Sequence, residues 1–213
     1  MNNAHKEQEN GPVEVGASGH SGAPGHVGER SEEPPVSAKR WRLWSVVALM
    51  ALLGSGGLCL PEGFAVPVQG ARPRDFHPAS FWYYPWGRSG VHKGVDIFAA
   101  QGTEVRSSTT GLVLYAGEIS LGGKVLLLLG PKWRLHYYAH LARFDVSAGE
   151  WVSSGTAIGA VGTSGNAAGK APHLHYAIAT LVPYPWRVDG RPQGWLKMFY
   201  LDPTPKLRSA MGK

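Results

Sequence analysis

Short apolar segments separated by glycine fill the C-terminal part of the chain. They are six to ten residues long and read VDIFAA, GLVLYAG, KVLLLLG, RLHYYAHL, AIGAVG and HLHYAIATLV. Runs of this length, rich in β-branched and aromatic residues and bounded by turn residues, are typical of strands. The pattern predicts a mainly β fold, with one compact domain over residues 77–203 and no helix longer than two turns inside it.

A different pattern occupies residues 41–60. Basic residues at Lys39, Arg40 and Arg42 precede an uncharged apolar run of 18 residues that ends at Leu60. That length is near the lower limit for a helix that spans a bilayer. The segment is therefore predicted to contact a membrane, although glycines in its second half weaken its helix propensity.

Two interpretations of this segment remain open. An uncleaved anchor would keep the basic flank and the N-terminal tail in the cytoplasm and place the rest outside. A signal peptide would be cleaved after Ala65, with Gly63 at the small minus-three position. The long tail favours the anchor, because signal peptides seldom carry forty residues ahead of the apolar core. Both interpretations place the C-terminal domain outside the cytoplasm, in the cell envelope.

Three further segments show no apolar periodicity. Residues 1–40 are polar and rich in Gly, Ser, Glu and Pro, so they cannot bury enough surface to offset the entropy of ordering. They are predicted to form a disordered tail. Residues 61–76 contain several prolines and arginines and are predicted to be a linker, and residues 204–213 a loose basic tail.

Charge and cysteine content exclude few classes of function. The formal net charge is +6, and residues 61–213 carry sixteen Lys/Arg against nine Asp/Glu. A basic surface suits an anionic partner such as a nucleic acid, a lipid headgroup or an acidic wall polymer, without choosing among them. The single cysteine, Cys59, excludes an internal disulfide, so the fold depends on its core or on a metal.

The first candidate site lies in the stretch VHKGVDI, where His92 and Asp96 are four residues apart. On an extended strand their Cα atoms would be about 13 Å apart, too far for both side chains to reach one ion. Gly94 lies between them and allows the chain to curl. The motif taken alone is a weak indication of a metal site.

Two further histidine motifs follow. In PHLHYAIA, His173 and His175 are two residues apart, so a strand directs both imidazoles to the same face at about 7 Å. In YYAHL, His140 ends an apolar strand. Taken together, His, Asp and His supply three ligands suited to Zn²⁺ and leave a fourth position for water, which is typical of a catalytic site.

These residues also carry a family resemblance. The stretches HKGVDIFAAQGTEV, YAHL and GTSGNAAGKAPHLHY resemble the three signatures of the lysostaphin-like zinc endopeptidases of peptidoglycan, which are also called LytM-type or duplicated hybrid motif proteins. The signatures occur in the family's order, and the resemblance covers about 110 residues, from Trp86 to near Pro203. No helical H-E-x-x-H motif is present, which excludes a thermolysin-like arrangement.

The resemblance implies a single compact antiparallel β-sheet domain with a groove across the sheet. It also implies a Zn²⁺ cofactor held by His92, Asp96 and His175, with His140 and His173 as unliganded catalytic residues. One of these two would orient or deprotonate water, and the other would stabilise the oxyanion or protonate the leaving amine. Which histidine has which role stays open. The implied activity is hydrolysis of peptide cross-links in peptidoglycan.

Other residues are candidates for contact with substrate. Tyr138 and Asn166 are predicted to contribute to the groove. His136 either faces the site or belongs to the core or rim. The aromatic residues in 81–86 either line the groove or pack as a lid or edge.

Alternatives to catalysis on the wall also remain. The domain could be a non-catalytic, envelope-binding regulator of another wall hydrolase, or a metallopeptidase that acts on envelope proteins. The expected partners are peptidoglycan stem peptides or cross-bridges and, through residues 41–60, a membrane; no nucleic acid is expected. The bond cut and the oligomeric state are not predicted by the sequence.

Overall fold

A computed structural model describes residues 36–212, so most of the predicted disordered tail lies outside the described residues. Two α-helices lie at the ends of this range, α1 (Val36–Cys59) and α2 (Thr204–Met211). Between them lie nine strands: β1 (Val95–Phe98), β2 (Glu104–Arg106), β3 (Gly111–Ile119), β4 (Gly123–Gly130), β5 (Arg134–Phe144), β6 (Trp151–Val152), β7 (Ala157–Val161), β8 (His173–Thr180) and β9 (Tyr200–Leu201).

The strands form one antiparallel sheet. Its main path runs β1-β8-β5-β4-β3-β6, while β7 pairs with β2 and β5, and β9 pairs with β8. The predicted mainly β, antiparallel fold is therefore confirmed. All six apolar segments in the sequence form strands, and β2, β6 and β9 are two- or three-residue strands that the apolar pattern did not predict.

The two faces of the sheet differ in chemistry because side chains alternate along each strand. One face carries large residues that are fully buried in the core, including Ile97, Leu128, Leu174, Tyr176 and Ile178. The opposite face forms the floor of the groove described below. The alternation in β8 therefore separates the core residues Leu174 and Tyr176 from His173 and His175.

The segment at 61–76 is part of the domain. Val68 pairs with Val105, and Phe76 pairs with Ile97, as isolated bridges at the edge of the sheet. Both Val68 and Phe76 are buried in the core. The prediction of a linker is wrong, because apolar residues that are too sparse to form a local pattern find partners in distant strands.

The C-terminal segment is also folded. Residues Thr204–Met211 form α2, in which Leu207 is fully buried and Thr204 is nearly so. The prediction of a loose tail is wrong, because Leu207 packs in the core, Met211 packs against it, and Lys206 pairs with Glu62.

Helix α1 begins at Val36, five residues before the predicted membrane segment. By length and composition, Lys39–Cys59 could cross a membrane, and a signal sequence would have the same features. The glycines at positions 54, 56 and 57 lie inside the helix rather than ending it.

Candidate metal centre and groove

Three side chains converge on one point of the groove floor. His92 Nε2 lies 3.1 Å from Asp96 Oδ1 and 3.0 Å from His175 Nδ1, and His175 Nδ1 lies 2.8 Å from Asp96 Oδ1. Among the described residues, these three form the cluster that could bind a metal ion, because their ligand atoms lie within 4.8 Å of one another.

The strand register explains this convergence. Asp96 in β1 lies opposite His175 in β8, so both side chains project from the same face. His92 precedes β1 and reaches them through the curl at Gly94. A Cβ at position 94 would overlap the carbonyl oxygen of Tyr176, so glycine is needed here for close approach of two backbones.

Backbone contacts hold His92 in place. Its amide donates to the Tyr83 carbonyl at 3.0 Å, and its carbonyl accepts from the Trp82 amide at 2.7 Å. Its Nδ1 lies 3.0 Å from the carbonyl oxygen of Ser80. A carbonyl only accepts, so Nδ1 donates to it, and Nε2 is the nitrogen that faces the cluster.

The electrostatics of the cluster favour a cation. Burial alone would raise the pKa of Asp96, but its hydrogen bonds with His175 and His92 outweigh this effect and hold the pKa well below its usual range. Burial lowers the pKa of His175, which favours the neutral imidazole. Two imidazoles and one carboxylate, with their nitrogens and oxygen about 3 Å apart, are a donor set that suits zinc. The residues present therefore fit a zinc ion.

Two more histidines flank this group. The ring centres of His140 and His173 are 5.0 Å apart, and that of His140 is 6.1 Å from His175. His140 Nδ1 lies 2.9 Å from the Ser164 carbonyl, and His173 Nδ1 lies 2.8 Å from the Ala171 carbonyl. By the argument used for His92, each ring keeps Nε2 free, and His173 Nε2 lies 4.0 Å from Asp96 Oδ2.

His140 reaches the groove through an irregularity in β5. The pairing with β4 jumps from Tyr138 opposite Leu126 to Leu141 opposite Lys124, so β5 holds one extra residue. His140 occupies this β-bulge with a φ of 63°, in the left-handed region that favours glycine. The bulge lets both Ala139 and His140 line the groove. Burial lowers the pKa of His140 to about 4, so its ring is neutral near pH 7.

The structure contradicts the expected substrate contact of Tyr138. Tyr138 and His136 both point to the core face, where they are fully buried. The Tyr138 hydroxyl lies 2.6 Å from Ser108 Oγ, and His136 Nδ1 lies 3.1 Å from the same oxygen. Strict alternation along β5 places these side chains opposite Tyr137, which lines the groove instead.

The groove above the cluster has a volume of about 820 Å³. Asn166 and Trp86 lie on its wall. The Trp86 ring packs on His92 with centroids 4.2 Å apart. The residues of the aromatic segment therefore differ in role: Trp86 borders the groove, while Trp82 is buried against Phe81 and Tyr200. Basic side chains on the rim are Arg88, Lys93 and Lys170.

Several contributors to the site were not predicted from sequence. Carbonyl groups of Ser80, Ser164 and Ala171 orient three imidazoles. Every residue has a backbone carbonyl, so the sequence does not indicate which ones take this role. Phe98 packs on His173 at 5.3 Å, and Tyr137 meets His175 edge-on at 6.1 Å. Alternation within VDIFAA and RLHYYAHL is the signal that could have found these two rings.

Comparisons with known proteins agree with this geometry. The profile described as "Peptidase family M23" matches residues 90–189. The L-Ala–D-Glu endopeptidase of Bacillus subtilis is 33% identical over 157 residues, which cover 70% of this chain and 43% of that protein. The peptidoglycan DD-endopeptidase ShyA of Vibrio cholerae is 30% identical over 125 residues, which cover 59% of this chain and 25% of that protein. The chain thus spans less than half the length of these relatives.

A solved structure shares the fold. The catalytic domain of lysostaphin from Staphylococcus simulans superposes with a TM-score of 0.51 and 28% identity. The match covers 62% of this chain and 91% of that domain. The similarity therefore extends over nearly the whole of a known catalytic domain.

Proposed function

The chain carries a domain of peptidase family M23, homologous to lysostaphin, over residues 90–189, and on that premise we propose that it is a zinc-dependent endopeptidase of bacterial peptidoglycan. It would hydrolyse peptide bonds in stem peptides or cross-bridges during wall remodelling. The relatives named above act on such bonds, which supports this substrate class. We propose that helix α1 directs the domain to the cell envelope, where that substrate lies.

The observation that carries the proposal is the arrangement of five side chains on one groove floor. His92, Asp96 and His175 would hold the zinc ion, and their ligand atoms lie within 4.8 Å of one another. His140 and His173 flank them with Nε2 free. This division into two kinds of role supports catalysis over the alternative of a silent regulator.

Each flanking histidine has a role that its surroundings support. Zinc, when bound, supplies a Lewis acid that polarises a carbonyl oxygen and makes water nucleophilic near neutral pH. His140 is neutral near pH 7 and can accept a proton at Nε2, while its Nδ1 stays bonded to the Ser164 carbonyl. His173 can accept a proton at Nε2 and then donate it to the leaving amine.

The test is hydrolysis of purified sacculi by the full chain in detergent. Replacing the general acid–base group in His140→Ala or His173→Ala should lower the release of muropeptides by about 10²–10⁴-fold, while one bound zinc per chain is retained. His77→Ala is the matched control, because His77 is exposed and lies outside the groove. It should retain full activity and full zinc content.

The outcomes separate the three candidate functions. Mass spectrometry of the products identifies the bond cut. Sacculus binding without hydrolysis by the wild type, unchanged in His175→Ala, would identify a regulator. Faster hydrolysis of an unfolded protein than of sacculi would identify a peptidase of envelope proteins.

A further inference from the structure

The end of helix α1 is in contact with the domain through a tryptophan. The indole Nε1 of Trp133 donates to the Gly54 carbonyl at 2.8 Å. A Cβ at position 57 would lie 2.5–2.6 Å from three atoms of the same indole ring. Residues 54 and 57 lie one helical turn apart, on the same side of α1. Two of the glycines that weaken the apolar segment therefore form a notch that receives Trp133.

A second contact fastens the chain just after α1. The Glu62 side chain is 5% exposed and pairs with Arg134 in β5 and with Lys206 in α2, the latter at 2.8 Å. Three residues further on, the Ala65 amide donates to the Ser108 carbonyl at 2.9 Å. The peptide that a signal peptidase would cleave, after Ala65, is thus tied into the folded domain.

We propose that α1 is a retained membrane anchor, fastened to the domain so that the edge carrying Trp133 rests on the bilayer surface. Cleavage after Ala65 would remove both Gly54 and Glu62 and leave Arg134 and Lys206 without their carboxylate. The inference deepens the proposed envelope location. It does not depend on peptidase activity.

The position of the Trp133–Gly54 contact along helix α1 favours lipid as the partner of this edge of the domain. Gly54 lies five residues before Cys59, which is about 7.5 Å along the helix axis. A side chain that contacts Gly54 therefore lies close to the end of the apolar run, near the bilayer interface, where tryptophan is enriched. Lys132, next to Trp133, adds a positive charge that suits anionic headgroups. Leu181, whose amide donates to the Trp133 carbonyl, is 56% exposed and extends the apolar edge.

The orientation has a consequence for the site. His140 lies six residues along β5 from Arg134, which is about 20 Å on an extended strand. An anchor fastened at the Trp133 edge would hold the groove at a fixed height above the bilayer, not on a flexible tether.

A first experiment tests whether α1 is retained and fastened. Cys59 is the only cysteine, so a nitroxide label there reports the mobility of the helix end in vesicles of phosphatidylethanolamine and phosphatidylglycerol. We expect an intact mass that includes residues 1–65 and an immobilised label. Gly57→Leu and Trp133→Ala should lose the immobilised spectral component. Gly56→Leu is the matched control, because a Cβ there meets nothing within 4 Å, and it should keep that component.

A second experiment tests the bilayer contact. Labels at Leu181→Cys and Glu118→Cys, each in a Cys59→Ser background, are compared for access to oxygen and to an aqueous nickel chelate. Glu118 lies at the other end of the β3–β4 hairpin and should be accessible to nickel, whereas the label at 181 should be protected from it. A mature N-terminus at Val66, equal mobility in the Gly56 and Gly57 variants, or nickel access at both sites would overturn the proposal. Hydrolysis of sacculi by the same preparations tests the peptidase activity separately.

Discussion

At the residue scale, the chemistry of the site depends on which nitrogen of each imidazole is free. Backbone carbonyls accept from Nδ1 of His92, His140 and His173, so each ring presents Nε2 to the groove. The fourth site histidine, His175, instead presents Nδ1 to Asp96. His136, on the core face of β5, has a structural role, because its partners are the hydroxyls of Ser108 and Tyr176.

The stability of the fold should depend on pH through His136. Burial, together with the charges of Lys206 and Arg134, lowers the pKa of His136 to about 3. In the unfolded chain the pKa of this histidine is near 6.5, so between pH 3 and 6.5 the unfolded state binds more protons than the folded state. The free energy of unfolding therefore rises with pH over that window, and the contribution of His136 is complete above it. The greatest slope from this group is about 1.4 kcal/mol per pH unit.

The measurement is urea unfolding between pH 4.5 and 7.5 for the wild type and for His136→Gln, which cannot titrate. The stability of the wild type should fall more steeply on acidification than that of the variant. Parallel pH profiles for the two proteins would contradict the prediction.

At the element scale, β5 is the central strand of the site. It pairs with β4, β7 and β8, and its bulge changes the side of the sheet to which its residues point. Before the bulge, Tyr138 is in the core; at the bulge, His140 is in the groove. The short helix α2 covers a different part of the core and has too few residues to be stable alone.

Helix α2 should contribute measurably to stability. Leu207→Ala leaves a cavity at a fully buried position, and the expected loss in the free energy of unfolding is about 2–5 kcal/mol. Arg208→Ala, at the next and exposed position, should change it by less than about 0.5 kcal/mol. Chemical denaturation of both variants checks this. Equal effects would mean that α2 does not pack on the core in solution.

At the scale of the whole molecule, Glu62 joins three distant segments of the chain. It meets Arg134 in β5 and Lys206 in α2, and it lies two residues beyond the apolar run of α1. The folded unit therefore includes the segment that follows helix α1, and an ion pair of Glu62 joins this segment to β5, the central strand of the site.

Removing the Glu62 charge should destabilise the fold. Glu62→Gln leaves Arg134, whose side chain is 15% exposed, without an anionic partner, and the expected cost is about 3 kcal/mol. Glu118→Gln is the control, because Glu118 forms an exposed pair with Lys124 that contributes at most about 1 kcal/mol. Thermal unfolding should show a clearly lower midpoint for the first variant only. Similar midpoints for both would show that the Glu62 pairs are solvated in solution.

Much of the architecture could be predicted because it rests on local patterns. The six apolar segments form the longer strands, since alternation and length within a strand are properties of consecutive residues. The spacing of His173 and His175 correctly predicted that both lie on one face. The three shortest strands, the packed segment 61–76 and α2 were not predicted, because each is held by contacts with residues far away in sequence.

The sequence by itself determined the residue types of the site, namely the His/Asp/His set suited to zinc and the two further histidines, since ligand chemistry belongs to the side chain alone. Only the tertiary structure decided where those side chains point. One left-handed residue in β5 sends His140 to the groove while Tyr138 stays in the core, and strand pairing across the sheet, which no local pattern encodes, brings Asp96 opposite His175.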